Sequence, residues 1–72
     1  MKLKFTYHAQ YRFHERKILA SLIKVTILHP DSSFMLPDGK IKVRKRLENG
    51  EIFTVVYVKY VSEFIILSFY YI

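Results

Sequence analysis

The chain is short, basic and free of cysteine, with 72 residues, 12 Lys and Arg against 6 Asp and Glu, and a net charge of +6. This length fits one domain over residues 1–72, and the lack of cysteine excludes disulfides and Cys-based zinc sites. Six Phe and six Tyr predict a packed core, and the positive charge favours an anionic partner.

The N-terminal half predicts a short edge strand followed by two helices. The first five residues alternate Lys with Leu and Phe, and no secretory signal is visible there. Thr6 can cap a helix over residues 7–17. Apolar residues in 19–28 recur at helical spacing, although the many β-branched side chains leave a strand as the alternative. Pro30 ends this segment.

The C-terminal half predicts a loop and then strands. Residues 31–40 are interpreted as a loop, because Pro37-Asp38-Gly39 is typical of a turn. Asn49-Gly50 is typical of a hairpin turn. Three strands are predicted, over residues 40–47, 52–60 and 64–71.

The apolar tail, residues 52–72, is the one segment long enough to suggest a membrane span. Lys59 and Glu63 would then lie near the centre of the bilayer, where charge is costly. Val, Ile, Phe and Tyr dominate the segment and favour strands. We therefore expect two strands in a cytoplasmic protein that does not bind a membrane.

The order of the elements predicts an α+β fold, with two N-terminal helices packed on a three- to four-stranded antiparallel sheet. Such a sheet has more apolar surface than two short helices can cover. An exposed apolar face on a small basic protein is typical of a protein interface, which includes a possible homodimer contact.

One stripe of the first predicted helix has residues suited to phosphodiester chemistry. His8, Arg12 and Arg16 recur every four residues. RNA cleavage without metal requires a base, an acid and cations that stabilise charge on the phosphate. The dipole of the first helical turn favours His8 as the base, and the two arginines would bind phosphate. The alternative is a solvated helix face.

A second group of candidates lies on the first strand of the β half. Lys42, Arg44 and Arg46 alternate with apolar residues, so they share one face and can bind successive phosphates. Equally, these cations can protect an edge strand from pairing with other chains. Tyrosines at 57, 60, 70 and 71 are candidates for stacking on bases. No metal site and no cofactor motif is predicted.

The pattern His-Ala-x-x-Arg-x-x-x-Arg, which starts at His8 after a Phe-Thr pair, resembles a family of small bacterial and archaeal domains of unknown function. That family is commonly grouped with the RelE/ParE and BrnT toxin superfamily. Later features fit in the same order: a second helix that ends near Pro30, a turn at 48–50, a Val-Val pair at 55–56, and a last strand through Tyr70.

The resemblance implies a RelE/BrnT-like fold and a metal-independent ribonuclease of the mRNA interferase type, held by a cognate antitoxin. It also implies roles for Ser68 in substrate binding and for Tyr70 in catalysis, because these residues stand where the family has Thr and Tyr. Lys17 replaces the family's usual Gly, so we expect the first helix to continue further here. Two alternatives stay open: a non-catalytic RNA-binding or protein-interaction module of the same fold, and a homodimeric structural protein.

Overall fold

The sequence folds into two helices and five strands in the computed structural model, which describes residues 1–72. The elements are, in chain order, β1 (Lys2–Phe5), α1 (Tyr7–Arg16), α2 (Ala20–Leu28), β2 (Ser32–Met35), β3 (Ile41–Arg46), β4 (Ile52–Tyr60) and β5 (Glu63–Tyr71). Neither helix has the length and apolarity needed to cross a membrane. The order of the elements confirms the predicted helical N-terminal half and β C-terminal half.

All five strands belong to one sheet, in the order β1-β5-β4-β3-β2. The β1–β5 pair is parallel, and the other three pairs are antiparallel. The α+β class is confirmed, but the predicted three- to four-stranded antiparallel sheet is wrong. The sheet is larger because β2 adds an edge strand, and it is mixed because the two helices return the chain so that β1 runs alongside β5.

Strand β2 lies in the segment that was predicted to be a loop. Its residues pair with β3, and Ser32 lies opposite Arg44. The Asp and Ser residues here favour turns locally, but pairing with β3 satisfies backbone groups that would otherwise remain unpaired. The turn that follows is as predicted: Gly39 has φ +87°, and Lys40 N donates a hydrogen bond of 3.2 Å to Asp38 Oδ1.

Helix α1 begins as predicted and ends earlier than the sequence suggested. The Thr6 side chain accepts a hydrogen bond of 3.3 Å from Ala9 N and so caps the first turn. The helix ends at Arg16, because Lys17 has φ 52° and ψ 42° in the left-handed region. The expectation of a longer helix is therefore wrong, since a lysine here adopts the conformation that Gly usually supplies at a helix end.

Helix α2 confirms the helical interpretation of residues 19–28 over the strand alternative. It ends at Leu28, immediately before His29 and Pro30. Its β-branched Thr26 is fully buried, and the hydroxyl donates a hydrogen bond of 2.7 Å to Leu22 O in the preceding turn. The buried environment thus outweighs the low helix propensity of the segment.

Both helices pack on the same face of the sheet, which we call the helix face. Residues directly opposite in an antiparallel pair share a face, so the registers assign every strand residue to one side. The buried core consists of Ala9, Ile18, Ile23 and Ile27 together with Val43, Phe53, Val55, Tyr57, Ile66 and Phe69. Phe13 of α1 completes it, with ring centroids 5.0 Å from Phe5 and 6.5 Å from Phe69.

No helix covers the other side of the sheet, which we call the open face. Its side chains come from alternate positions of the strands, as β4 shows: Phe53 and Val55 face the helices, whereas Thr54 and Val56 face away. The open face therefore mixes apolar residues with the polar and charged positions of β2, β3 and β5.

Strand β5 contains an irregularity that decides where its C-terminal half points. Val56 lies opposite Ser68, whereas the next residue, Tyr57, lies opposite Ile66. Leu67 is therefore the extra residue of a β-bulge, which reverses the alternation of the strand beyond it. As a result Ser68 lies on the open face.

Candidate nucleic-acid interface

The basic side chains of β3 lie on the open face in rows with residues of the neighbouring strands. Two adjacent cross-strand rows follow from the registers, Ser32–Arg44–Thr54–Tyr70 and Phe34–Lys42–Val56–Ser68. Arg46 continues the line of cations beside Ile52 at the end of β3. The structure thus brings the predicted substrate-binding residues to one face, with the predicted catalytic residue Tyr70 among them.

An aromatic ring at the sheet edge lies under two of these cations. Phe34 is 45% exposed, and its ring centroid lies 6.0 Å from Lys42 Nζ and 5.7 Å from Arg44 Cζ. Cation–π attraction holds both side chains over the ring. The sequence did not predict Phe34 and Ser32 as site residues, because their segment was interpreted as a loop. The one available signal was their i, i+2 spacing, which places both on one face if the segment is a strand.

The one cavity of the structure opens on this face and holds about 210 Å³. It is lined by Asp31, Ser32, Arg44, Arg46 and Ile52. Asp31 N donates a hydrogen bond of 2.8 Å to Arg44 O, and Asp31 Oδ2 accepts one of 2.7 Å from Arg46 N. These backbone contacts fix the carboxylate at the wall of the cavity.

The two arginine side chains of the cavity have no hydrogen-bond or ion-pair partner within the protein. Neither Arg44 nor Arg46 forms an ion pair, because the ion pairs of the chain are Lys4–Glu63 and Lys40–Asp38. Neither side chain makes a hydrogen bond. Their positive charge is therefore available to an external anion.

Two neighbouring polar atoms of the open face are buried without a hydrogen-bond partner. They are Arg44 Nε and Thr54 Oγ1, on residues that lie directly opposite each other in the β3–β4 pair. Leaving a buried polar atom unpaired costs roughly 1–3 kcal/mol. The centre of the open face thus contains buried polar atoms without hydrogen-bond partners, whereas the core does not. This is typical of a surface used for binding rather than for stability.

The predicted catalytic stripe lies on the other side of the molecule. Helix α1 packs on the helix face, where Ala9 is fully buried. His8 and Arg16 are exposed, Arg12 is half-buried, and none of the three forms an ion pair or a side-chain hydrogen bond. No cavity adjoins them.

The structure therefore separates the eight predicted site residues into two groups. The group on α1 is His8, Arg12 and Arg16, and the group on the open face is Lys42, Arg44, Arg46, Ser68 and Tyr70. The two groups do not share a cleft, because the bulge at Leu67 places Ser68 and Tyr70 on the open face, on the side of the sheet away from α1.

The tyrosines proposed for stacking are divided in the same way. Tyr57 is buried on the helix face, so its ring cannot stack on a base. The same burial raises the pKa of its hydroxyl above 10.0. Tyr71 also lies on that face, with its ring centroid 5.1 Å from that of Phe53. Tyr60 and Tyr70 lie on the open face and are the tyrosines of this set that a base can reach there.

No family model, no curated protein and no solved structure matches the chain. These comparisons give no link to the RelE/ParE or BrnT toxins.

Proposed function

We propose that the open face binds single-stranded RNA. The observation that carries this proposal is the line of Lys42, Arg44 and Arg46 on a sheet face that no helix covers. Alternate residues of a strand are about 7 Å apart, so the three cations present evenly spaced positive charges to an extended phosphate backbone. None of the three forms an ion pair within the protein.

Aromatic side chains on the same face favour a single strand over a duplex. Phe34 lies beside the cations at one edge, and Tyr70 lies two strands away in the row of Arg44. Unpaired bases stack on such rings with little dependence on sequence, whereas bases in a duplex are already stacked. Cations combined with accessible rings are the usual components of a single-strand binding surface.

The homodimer predicted for an apolar sheet face is less compatible with this surface. Apolar residues such as Val56 and Ile65 are present, but Lys42, Arg44 and Arg46 lie among them. Two copies facing each other would bring these cations together, and like charges at an interface are unfavourable. An anionic polymer matches the same surface without this cost.

Salt-dependent binding of a labelled single-stranded RNA, followed by fluorescence anisotropy, tests the proposal. Each phosphate contact contributes about 0.7 to the slope of log affinity against log salt. We expect Lys42→Gln and Arg46→Gln each to weaken binding and to lower the slope by about 0.7. Lys24→Gln, which removes the same charge from the exposed side of α2, is the matched control and should leave the slope nearly unchanged.

Equal effects of all three substitutions would show that binding depends on net charge alone, and the open face would then not be the binding site. An absence of RNA binding at low salt by the folded protein would exclude the proposal altogether.

Metal-independent cleavage of RNA is a second proposal, supported by the unpaired stripe on α1. His8, Arg12 and Arg16 have no protein partner that occupies them, which leaves them free for a phosphate. Incubation of RNA with the protein in EDTA tests this: His8→Ala should abolish cleavage, and His14→Ala, at an exposed histidine of the same helix, should not. A cognate antitoxin, as predicted, would then inhibit the cleavage.

The variant Tyr70→Phe separates the two faces in this assay. If cleavage is lost in Tyr70→Phe but persists in His8→Ala, the reaction takes place on the open face and the assignment of the base to α1 is wrong. Intact RNA with the folded wild-type protein would exclude the ribonuclease and leave the binding proposal in place.

A further inference from the structure

We propose that the cavity at Asp31 binds one ribose-phosphate unit of the strand and selects RNA over DNA; this inference rests on the proposed function of the open face. The cavity lies at the end of the line of cations, where Arg44 and Arg46 form part of its wall. Its volume of about 210 Å³ is below the roughly 300–1,000 Å³ of pockets that enclose a drug-sized ligand. A phosphate with its sugar fits this scale, and the base would remain outside.

The charge of the cavity matches a phosphodiester. Two arginines and one aspartate line it, and their formal charges sum to a single positive charge. An internal phosphodiester has a single negative charge, whereas a terminal phosphate carries up to two. Neither arginine side chain forms an ion pair or a hydrogen bond within the protein, so their N–H groups can donate to phosphate oxygens.

The carboxylate of Asp31 is the feature that points to ribose. In a site that only bound phosphate it would repel the ligand, yet two backbone hydrogen bonds hold it at the wall. Its Oδ2 accepts from Arg46 N, and its Oδ1 has no partner. This exposed oxygen can accept a hydrogen bond from a sugar bound in the cavity, and the 2′-hydroxyl is the donor that RNA has and DNA lacks.

Apolar packing on the opposite wall is consistent with a sugar. Ile52 lines the cavity at the start of β4, directly opposite Arg46 in the β3–β4 pair. The carbon face of a ribose can pack on this side chain while its hydroxyl edge faces the carboxylate. Asp31 is then a specificity residue, and the two arginines supply the affinity.

Binding of matched oligonucleotides to the full chain tests this inference. Labelled oligo(rU), oligo(dU) and 2′-O-methyl oligo(rU) of about twelve nucleotides span a typical single-strand site. We expect oligo(rU) to bind on the order of tenfold more tightly than oligo(dU), because one hydrogen bond to a charged acceptor is lost. The 2′-O-methyl strand keeps the sugar oxygen but has no donor, so it should bind as weakly as oligo(dU).

The variant Asp31→Asn assigns the selectivity to the carboxylate. Its amide oxygen can still accept from Arg46 N, so the fold should persist, while the outer atom changes from an acceptor to a donor. We expect the RNA-to-DNA affinity ratio to fall to near one. Asp38→Asn makes the same charge change in the β2–β3 turn, where Asp38 bonds to Lys40, and should leave the ratio unchanged.

Equal binding of oligo(rU) and oligo(dU) by the wild-type protein would overturn the inference while leaving the proposed function intact. An unchanged ratio in Asp31→Asn would do the same. If none of the oligonucleotides binds, the proposed function itself fails. The comparison with the 2′-O-methyl strand uses the wild-type chain, so the inference stays testable even if the variant does not fold.

Discussion

The two faces of the sheet are built from the same strands, but they differ in how completely their side chains find packing, hydrogen-bond and charge partners. On the helix face, Phe53, Val55 and Phe69 are fully buried and pack against apolar neighbours. On the open face, Thr54 is equally buried but its hydroxyl has no partner, and Lys42, Arg44 and Arg46 form no ion pairs. One side of each strand thus supplies the stability, and the other side is free to carry binding residues.

The largest expected difference between the faces comes from removing one phenylalanine from each. Phe69→Ala should lower the free energy of unfolding by about 3–5 kcal/mol, because the ring is fully buried beside Phe13 and Phe53. Phe34→Ala should cost about 1 kcal/mol or less, since Phe34 is nearly half exposed, yet weaken RNA binding. Urea denaturation followed by circular dichroism measures both values. Similar losses would mean that the open face is also covered.

A smaller and opposite effect is expected from two fully buried threonines. Thr54→Val should raise the free energy of unfolding by about 1 kcal/mol, because it replaces an unpaired hydroxyl by a methyl group. Thr26→Val, on the helix side, should lower it by about 0.5–1 kcal/mol, because its hydroxyl donates to Leu22 O. If both variants are destabilised, Thr54 Oγ1 has a hydrogen-bond partner in the folded protein, and the two faces do not differ in this respect.

The smallest difference appears only at alkaline pH and belongs to the helix face. Burial raises the pKa of Tyr57, so its neutral form is favoured in the folded state. The resulting contribution to stability is fully present below about pH 10 and is lost as the pH rises through the raised pKa. Thermal denaturation of the wild type and of Tyr57→Phe between pH 9 and pH 11, as rough limits around the tyrosine pKa, should show a steeper decline for the wild type. Parallel stability curves for the two proteins would contradict this contribution of Tyr57.

Local patterns predicted much of the fold, because each depends on residues close in sequence. The alternation of Lys42, Arg44 and Arg46 with apolar residues correctly placed the cations on one face of a strand. Capping by Thr6 and the turn at Asn49-Gly50 were likewise predictable, since a side chain or a positive φ at one position decides them.

The features that the sequence did not reveal depend on contacts between distant segments. Strand β2 exists because β3 offers it a partner, and its own residues resemble a loop. The bulge at Leu67 leaves no pattern in the sequence, yet it moves Ser68 and Tyr70 from the side of α1 to the open face. One extra residue in a strand therefore decided that Ser68 and Tyr70 lie beside Lys42 and Arg44 rather than beside the stripe on the first helix.

The parallel pairing of β1 with β5 has a consequence for how the chain acquires its structure. Lys2 lies opposite Glu63, so every residue of both helices and of three strands comes between the two partners. During synthesis β1 has no neighbour until β5 has been translated, and α1 lacks much of the surface on which it packs. Pairing of such distant segments is slow to nucleate, so we expect this domain to fold after β5 leaves the ribosome, on a timescale of milliseconds or longer.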